Sequence, residues 1–183
     1  MKLGIAKYGN YEPKDSTRIF SRLLAAHPDE ASYAVLLGDS CNDITDESDA
    51  DEGCGVLLDY AQRHPRDTAA AIAAASTIIR TRQVAKFDMA RQMLSGAIAA
   101  DPKNPSAWFE MGVLDLQQNN WGESVASMRR AAEIQPASSK AHWRLAQAYF
   151  HLGDKEQAHQ EAPAVPFSLP PSPSAVLALQ RGG

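Results

Sequence analysis

The regular spacing of four prolines limits the possible folds of this chain more than any other feature. Pro28, Pro65, Pro102 and Pro136 are separated by 37, 37 and 34 residues, and each follows an apolar segment rich in alanine. Because proline cannot continue a helix and also restricts the residue before it, each segment is predicted to be a helix that ends just before its proline. A repeat of this length predicts a linear array of similar helical units.

The segments before the prolines share a pattern of small and bulky residues at helical spacing. A small residue lies twelve positions before each proline, and a bulky apolar residue lies eight positions before it. The small residues are Ser16, Gly53, Ala90 and Ser124, and the bulky residues are Phe20, Leu57, Leu94 and Met128. A second periodic segment lies upstream of each helix, marked by pairs such as Leu37–Gly38 and Met111–Gly112. Each unit is therefore predicted to be an antiparallel pair of helices.

Residues 105–138 resemble a tetratricopeptide repeat. The family's tryptophan, Leu-Gly pair, small residue, bulky residue and closing proline correspond here to Trp108, Met111, Gly112, Ser124, Met128 and Pro136. Asp115 departs from the pattern, because it occupies the place of the family's tyrosine. Residues 139–162 match a further repeat, and residues 31–67 and 68–104 match with three extra residues each.

The resemblance implies an all-α fold, a right-handed α-solenoid of antiparallel helix pairs with a concave face. It divides residues 1–162 into about five repeats, at 1–30, 31–67, 68–104, 105–138 and 139–162, of which the first is truncated. Residues 163–183 form a proline-rich tail in which Ser174 could cap a short helix. We expect the tail to cover the last repeat or to be disordered; alternatively, it enters the concave groove of its own or a neighbouring chain.

Capping residues mark three predicted helix starts, and one segment interrupts the repeats. Asn104 precedes Pro105, while Asn120 with Glu123 and Asp154 with Gln157 have capping-box spacing. Residues 42–52 contain six acids and no base, and they fail the calcium-loop pattern. We expect a solvated loop there; the alternative is contact with a metal or a basic partner.

In this family the first helix of each pair lines the concave groove, and the resemblance places a partner-binding surface there. Repeat three contributes Ile72 and Ile79, repeat four contributes Phe109, Val113 and Leu116, and repeat five contributes Lys140, Trp143, Arg144, Gln147 and Phe150. This lining is apolar and aromatic with basic groups at its edge, which suits an apolar peptide or amphipathic helix. Alternatively, Phe109 or Trp143 packs between repeats. Trp108 and Trp121 are expected to be structural and Trp143 accessible.

The chaperone-binding carboxylate clamp of some family members is disfavoured. Lys140 and Arg144 fit two of its places, but Ile72, Ser76 and Glu110 occupy the other three and supply no cation. An acid would also lie where the ligand carboxylate should bind.

Composition excludes several other functions. The net charge of -4, without a basic patch, disfavours nucleic-acid binding. No apolar run could span a membrane, and the start of the sequence lacks a signal peptide, so a cytoplasmic location is expected.

Cys41 and Cys54 are too few for a disulfide framework or a four-thiolate metal site. Cys41 is expected to be a small buried side chain, and the acidic segment should raise the pKa of the Cys54 thiol.

The sequence contains no phosphate loop, zinc-protease motif or nucleophile elbow, so an enzyme, a cofactor and a metal site are not expected. The leading prediction is a non-catalytic scaffold or assembly module for protein–protein interaction. The alternative is a cytoplasmic tetratricopeptide chaperone, of the kind that serves secretion systems, holding an apolar segment of a client. The partner, the oligomeric state and whether Met1 is the natural start stay open.

Overall fold

The computed structural model describes residues 13–41 and 47–162, which form helices and the short turns that join them. The described α-helices are α1 (Pro13–Ala26), α2 (Ala31–Cys41), α3 (Glu47–Arg63), α4 (Thr68–Arg80), α5 (Phe87–Ala100), α6 (Pro105–Gln117), α7 (Trp121–Ile134), α8 (Ser139–His151) and α9 (Lys155–Glu161). A short 3-10 helix, Val84–Lys86, precedes α5. The predicted all-α fold class is confirmed.

The prolines end the helices as their spacing predicts. The helices α1, α3, α5 and α7 stop at Ala26, Arg63, Ala100 and Ile134, in each case two residues before a proline. A residue before proline is driven out of the helical region, so the chain leaves the helix at the same place in each unit. The pairs α2–α3, α4–α5, α6–α7 and α8–α9 follow, and α1 packs on both α2 and α3.

The helix pairs stack so that their first helices form a continuous layer. The first helices α2, α4, α6 and α8 each contact the next one along the chain, whereas direct contacts between the second helices α3, α5 and α7 are sparse. The second helices are therefore spread apart and the first helices are drawn together. This arrangement makes the layer of first helices the inner, concave side of an α-solenoid, and the surface of α4, α6 and α8 on that side is called the groove below.

The pattern of small and bulky residues describes the core correctly. Phe20, Leu57, Leu94 and Met128 are all buried, and they belong to one continuous apolar cluster along the stack. Small residues allow the helices that carry these side chains to cross closely. At Gly112 an added Cβ would lie 2.8 Å from Met128, and the Ser124 hydroxyl donates a 2.9 Å hydrogen bond to the Gly112 carbonyl.

Two of the three predicted caps are present. The Asn104 side chain accepts hydrogen bonds from the amides of Ser106 and Ala107, and the Asp154 side chain accepts one from the Gln157 amide. The prediction for Asn120 is wrong, because its side chain makes no capping hydrogen bond. Instead its carbonyl accepts from the Ser124 amide, so the backbone alone starts α7.

The segment between α2 and α3 differs from its prediction. Residues 47–52 are the first turns of α3 rather than a loop, which agrees with the preference of acidic residues for helix N-termini. Residues 42–46 lie outside the described residues, as do residues 1–12 and the whole tail, 163–183. The expectations for the tail and for the start of the first repeat therefore stay predictions.

A disulfide joins Cys41 at the end of α2 to Cys54 in α3, with the two Cα atoms 6.0 Å apart. Two cysteines are too few for a disulfide framework, and the sequence does not predict this single bond. Cys41 is buried as expected, but it is bonded, and Cys54 has no thiol whose pKa could be raised. The bond links the end of α2 to the second turn of α3.

Candidate functional site

The groove exposes two aromatic side chains on α8. Trp143 is 44% exposed and Phe150 is 39% exposed, as the sequence predicts for an accessible Trp143. They lie seven positions apart, about two helical turns, so they share one face of the helix with Gln147 between them. Lys140 at the start of α8 is exposed, and Arg144, Gln147, Phe109 and Ile72 are half-buried.

Three of the predicted groove residues are buried. Ile79 is 0% exposed, and Val113 and Leu116 are 9% and 8% exposed. They belong to the core because α6 packs directly against α4 at this point, where the Gln117 side chain donates a 2.8 Å hydrogen bond to the Ile79 carbonyl. The family pattern gives the helix face correctly, but neighbouring repeats cover these side chains. Contact of these three residues with a partner stays a prediction.

A half-buried acid lies on the groove helix α6. Glu110 of α6 accepts a 3.2 Å hydrogen bond from the Ser76 hydroxyl of α4. Burial raises the pKa of the Glu110 carboxyl above its usual value, while the Ser76 hydrogen bond and the charges of Arg80, Arg144 and Lys140 oppose that rise. The three cations come from α4 and α8, on either side of Glu110. The sequence shows each of these residues, but not that they gather around one carboxyl group.

A cavity of about 330 Å³ opens beside Glu110, where the starts of α6 and α8 meet the end of α7. Its apolar wall comes from Phe109 and two alanines, Ala131 and Ala141. Its polar rim comes from Ser106, Glu110, Gln135, Ser138 and Lys140. A pocket with an aromatic wall and a rim of this kind can receive one side chain of a bound peptide.

The other two tryptophans are half-buried and fixed by contacts within the protein. The Trp108 indole N–H donates a 3.0 Å hydrogen bond to the Pro102 carbonyl. The Trp121 ring stacks on His151, with 4.1 Å between ring centroids. These contacts agree with the structural role expected for both residues, although neither ring is fully enclosed.

Two polar clusters were not foreseen. Asp115, whose side chain is 2% exposed, accepts a 2.7 Å hydrogen bond from Arg91 of α5 and a 3.4 Å one from the Ser127 hydroxyl of α7. His142 of α8 contacts two acceptors, the Glu161 carboxylate at 2.7 Å and the Pro136 carbonyl at 3.0 Å. Both clusters tie neighbouring helices together, and neither faces the groove residues named above.

The described ranges contain no group of three or more His, Cys, Asp or Glu side chains placed to hold a metal ion. None of the described helices has the length and apolarity of a membrane-spanning segment.

Comparison with known proteins agrees with the helix-pair architecture. Models of the tetratricopeptide repeat match residues 82–139 and residues 115–181. A crystal structure of MamA superposes with a TM-score of 0.68 at 17% identity, covering 88% of this chain and 91% of the other. MamA 41-end from Desulfovibrio magneticus RS-1 gives 0.67 at 14% identity, covering 87% of each chain. A crystal form of MamA AMB-1 gives 0.65 at 22%, covering 87% and 91%.

At these identities the likeness concerns the fold, and no curated protein matches the chain. Stacked antiparallel helix pairs with a layer of first helices on the inner side define an α-solenoid of the kind that supports protein–protein interaction. The repeat matches and the proline register specify which kind: the chain is a member of the tetratricopeptide repeat family.

Proposed function

We propose that the protein is a non-catalytic interaction scaffold or assembly module that binds a peptide or helix of a partner protein in the groove. The observation that carries this proposal is the exposure of Trp143 and Phe150 on the inner helix α8. Large aromatic side chains are the residues that gain most from burial against a partner. Their spacing of about two turns matches the length of a short helix or an extended peptide segment.

The composition of the groove supports a peptide ligand over a small molecule. The two preceding first helices contribute the half-buried side chains of Phe109 and Ile72. Three successive repeats therefore contribute to one elongated surface, and the cavity beside Glu110 lies at its edge. A long surface with a side-chain pocket is typical of peptide recognition.

Site-specific photo-crosslinking in the native host tests this proposal. A photoreactive residue replaces Gln147 in the groove or, as a control, the exposed Gln92 on the second helix α5. We expect a crosslink to another polypeptide from position 147 and none from position 92. The crosslink should be lost in Trp143→Ala and Phe150→Ala but kept in Val84→Ala, which removes an exposed apolar side chain, 70% accessible, outside the groove. Equal crosslinking from both positions would contradict the proposal.

The alternative function, a chaperone that holds an apolar client segment, draws on the same exposed aromatic side chains. The two functions differ in their effect on the partner. A chaperone keeps its client soluble, so loss of Trp143 would cause the client to aggregate. A scaffold binds a partner that is soluble on its own, and the same variant would only separate the two proteins.

The expected cytoplasmic location has to be weighed against the Cys41–Cys54 disulfide. Disulfides persist mainly in oxidising compartments, and most cytosolic proteins keep their thiols reduced. Mass spectrometry of the protein from its host, with free thiols alkylated before lysis, decides between the two. Unmodified, linked cysteines would contradict a cytoplasmic location, and alkylated cysteines would support it.

A further inference from the structure

We infer that the groove recognises partner segments in which acidic side chains flank a bulky apolar one; this inference rests on the proposed function and specifies its ligand. The observation behind it is the separation of charge between the groove and the rest of the molecule. The protein has a net charge of -4, yet the helices that form the groove carry an excess of accessible cations.

The charges of the groove helices can be counted directly. The helices α4 and α8 contain no acidic residue, and α6 contains only Glu110 and Asp115. Asp115 is buried and paired with Arg91 of α5, away from the groove. Glu110 is half-buried and accepts a hydrogen bond from the Ser76 hydroxyl. Glu110 is therefore the one carboxylate of these three helices that reaches the groove surface, where it lines the cavity beside Lys140.

The cations of the groove outnumber this carboxylate. Arg80 and Lys140 are exposed and Arg144 is half-buried. No ion pair among the described residues includes any of the three, and Arg144 donates only to the Gln147 side chain. All three act on Glu110 electrostatically, which places them around one point of the groove. Three cations around one carboxyl leave an excess of positive charge whether or not Glu110 is protonated.

The apolar side chain of the ligand is inferred from the aromatic residues that lie near the cations. Lys140 and Arg144 are one turn apart on α8, and Trp143 lies beside them on the same helix. The cavity walled by Phe109 opens at Lys140. A ligand that places an apolar side chain against this aromatic surface therefore brings its neighbouring residues next to the cations. Carboxylates at those positions gain charge complementarity and faster association.

Fluorescence anisotropy with the full chain tests the inference. The acidic probe is a fluorescein-labelled peptide, Gly-Asp-Glu-Phe-Glu-Asp-Gly, and the neutral probe replaces each acid by its amide. We expect the neutral probe to bind about tenfold more weakly, and the acidic probe to weaken as salt is raised. Replacing the phenylalanine by alanine should weaken the acidic probe as well.

A pair of charge-matched variants locates the binding site. The groove variant combines Lys140→Gln with Arg144→Gln, and the control combines Arg130→Gln with Lys155→Gln, two exposed cations of α7 and α9 outside the groove. Both lose the same net charge, and thermal melting checks that both fold. We expect about tenfold weaker binding of the acidic probe by the groove variant and an unchanged affinity for the control.

The outcomes separate this inference from the proposed function. If both probes bind equally and both depend on Trp143, the groove binds peptides but the acidic preference is wrong. Equal losses in the two variants, or no binding of the acidic probe, would also overturn the preference. Binding of a single-stranded oligonucleotide as tight as that of the acidic probe would overturn the assignment to peptides. The proposed function itself fails if position 147 gives no crosslink in the host, or gives no more than position 92.

Discussion

Replacing Gly38 by alanine should destabilise the protein, because this glycine lies where two inner helices cross. Gly38 of α2 is buried, and an added Cβ would lie 2.8 Å from the Cβ of Ala73 in α4. Carbon atoms in contact are normally about 3.5 to 4.0 Å apart. The alanine Cβ of Ala73 cannot rotate away, so the two helices themselves have to separate.

The size of the effect follows from two opposing contributions. Overpacking of a core by one or two carbon atoms costs about 1 to 3 kcal/mol. Alanine is a better helix former than glycine by about 1 kcal/mol, which offsets part of that cost. We expect a net loss of up to about 2 kcal/mol, which lowers Tm by as much as roughly 8 °C in a chain of this size.

Thermal melting followed by circular dichroism measures this change, and Gly96→Ala is the matched control. An added Cβ at Gly96, within α5, meets no atom within 4 Å, so only the helix preference should act. We expect Gly96→Ala to raise the free energy of unfolding by about 0.5 to 1 kcal/mol. If Gly38→Ala stabilised the protein as much as Gly96→Ala, the close crossing of α2 and α4 would be refuted.

Three further perturbations probe contacts outside the groove. Cys41→Ser combined with Cys54→Ser, a pair separated by 13 residues, should lower the free energy of unfolding by about 2 to 3 kcal/mol in urea; no loss would contradict a structural disulfide. The hydrogen bond to Glu161 raises the pKa of His142, so this contact stabilises the α8–α9 pair fully below about pH 6.5 and weakens as pH rises through the raised pKa. Hydrogen exchange of α9 should accordingly quicken more between pH 6 and 8 than in His142→Ala, and equal profiles would refute the link. Arg91→Ala should cost about 2 to 4 kcal/mol, since it leaves the buried Asp115 carboxylate without its cation; a loss no larger than that of the exposed Arg130→Ala would refute this.

The sequence predicts the helix array well because its strongest signals are local. A proline acts on the residue before it and on the helix that it ends, so its effect does not depend on distant contacts. All four predicted helix ends follow this rule. The small and bulky positions are likewise local, since the same face of one helix carries both, and those positions are buried as expected.

The features that the sequence did not predict depend on contacts between units. Ile79 is buried where α6 packs against α4, and the hydrogen bond from Gln117 to the Ile79 carbonyl in this contact spans 38 residues. The contact of Ser76 with Glu110 spans 34 residues. A repeat pattern gives the face of a helix but not how far the next repeat covers it.

The sequence does not predict the disulfide, for a similar reason. Two cysteines separated by 13 residues can bond only if the end of α2 and the second turn of α3 face each other, and residues 42–52 were expected to be a loop. A run of acidic residues is typical of both a solvated loop and a helix N-terminus. The acids of this segment therefore do not reveal that α3 begins at Glu47.

Nuclear magnetic resonance of the tryptophan indoles tests most directly the central claim that the groove is the binding surface. The three indole N–H signals report separately on the exposed Trp143, on Trp121 stacked against His151 and on Trp108 bonded to the Pro102 carbonyl. During titration with the acidic probe, the Trp143 signal should shift the most and the Trp108 signal should stay in place. A saturated complex in which Trp143 does not move, while Trp108 does, would contradict the claim.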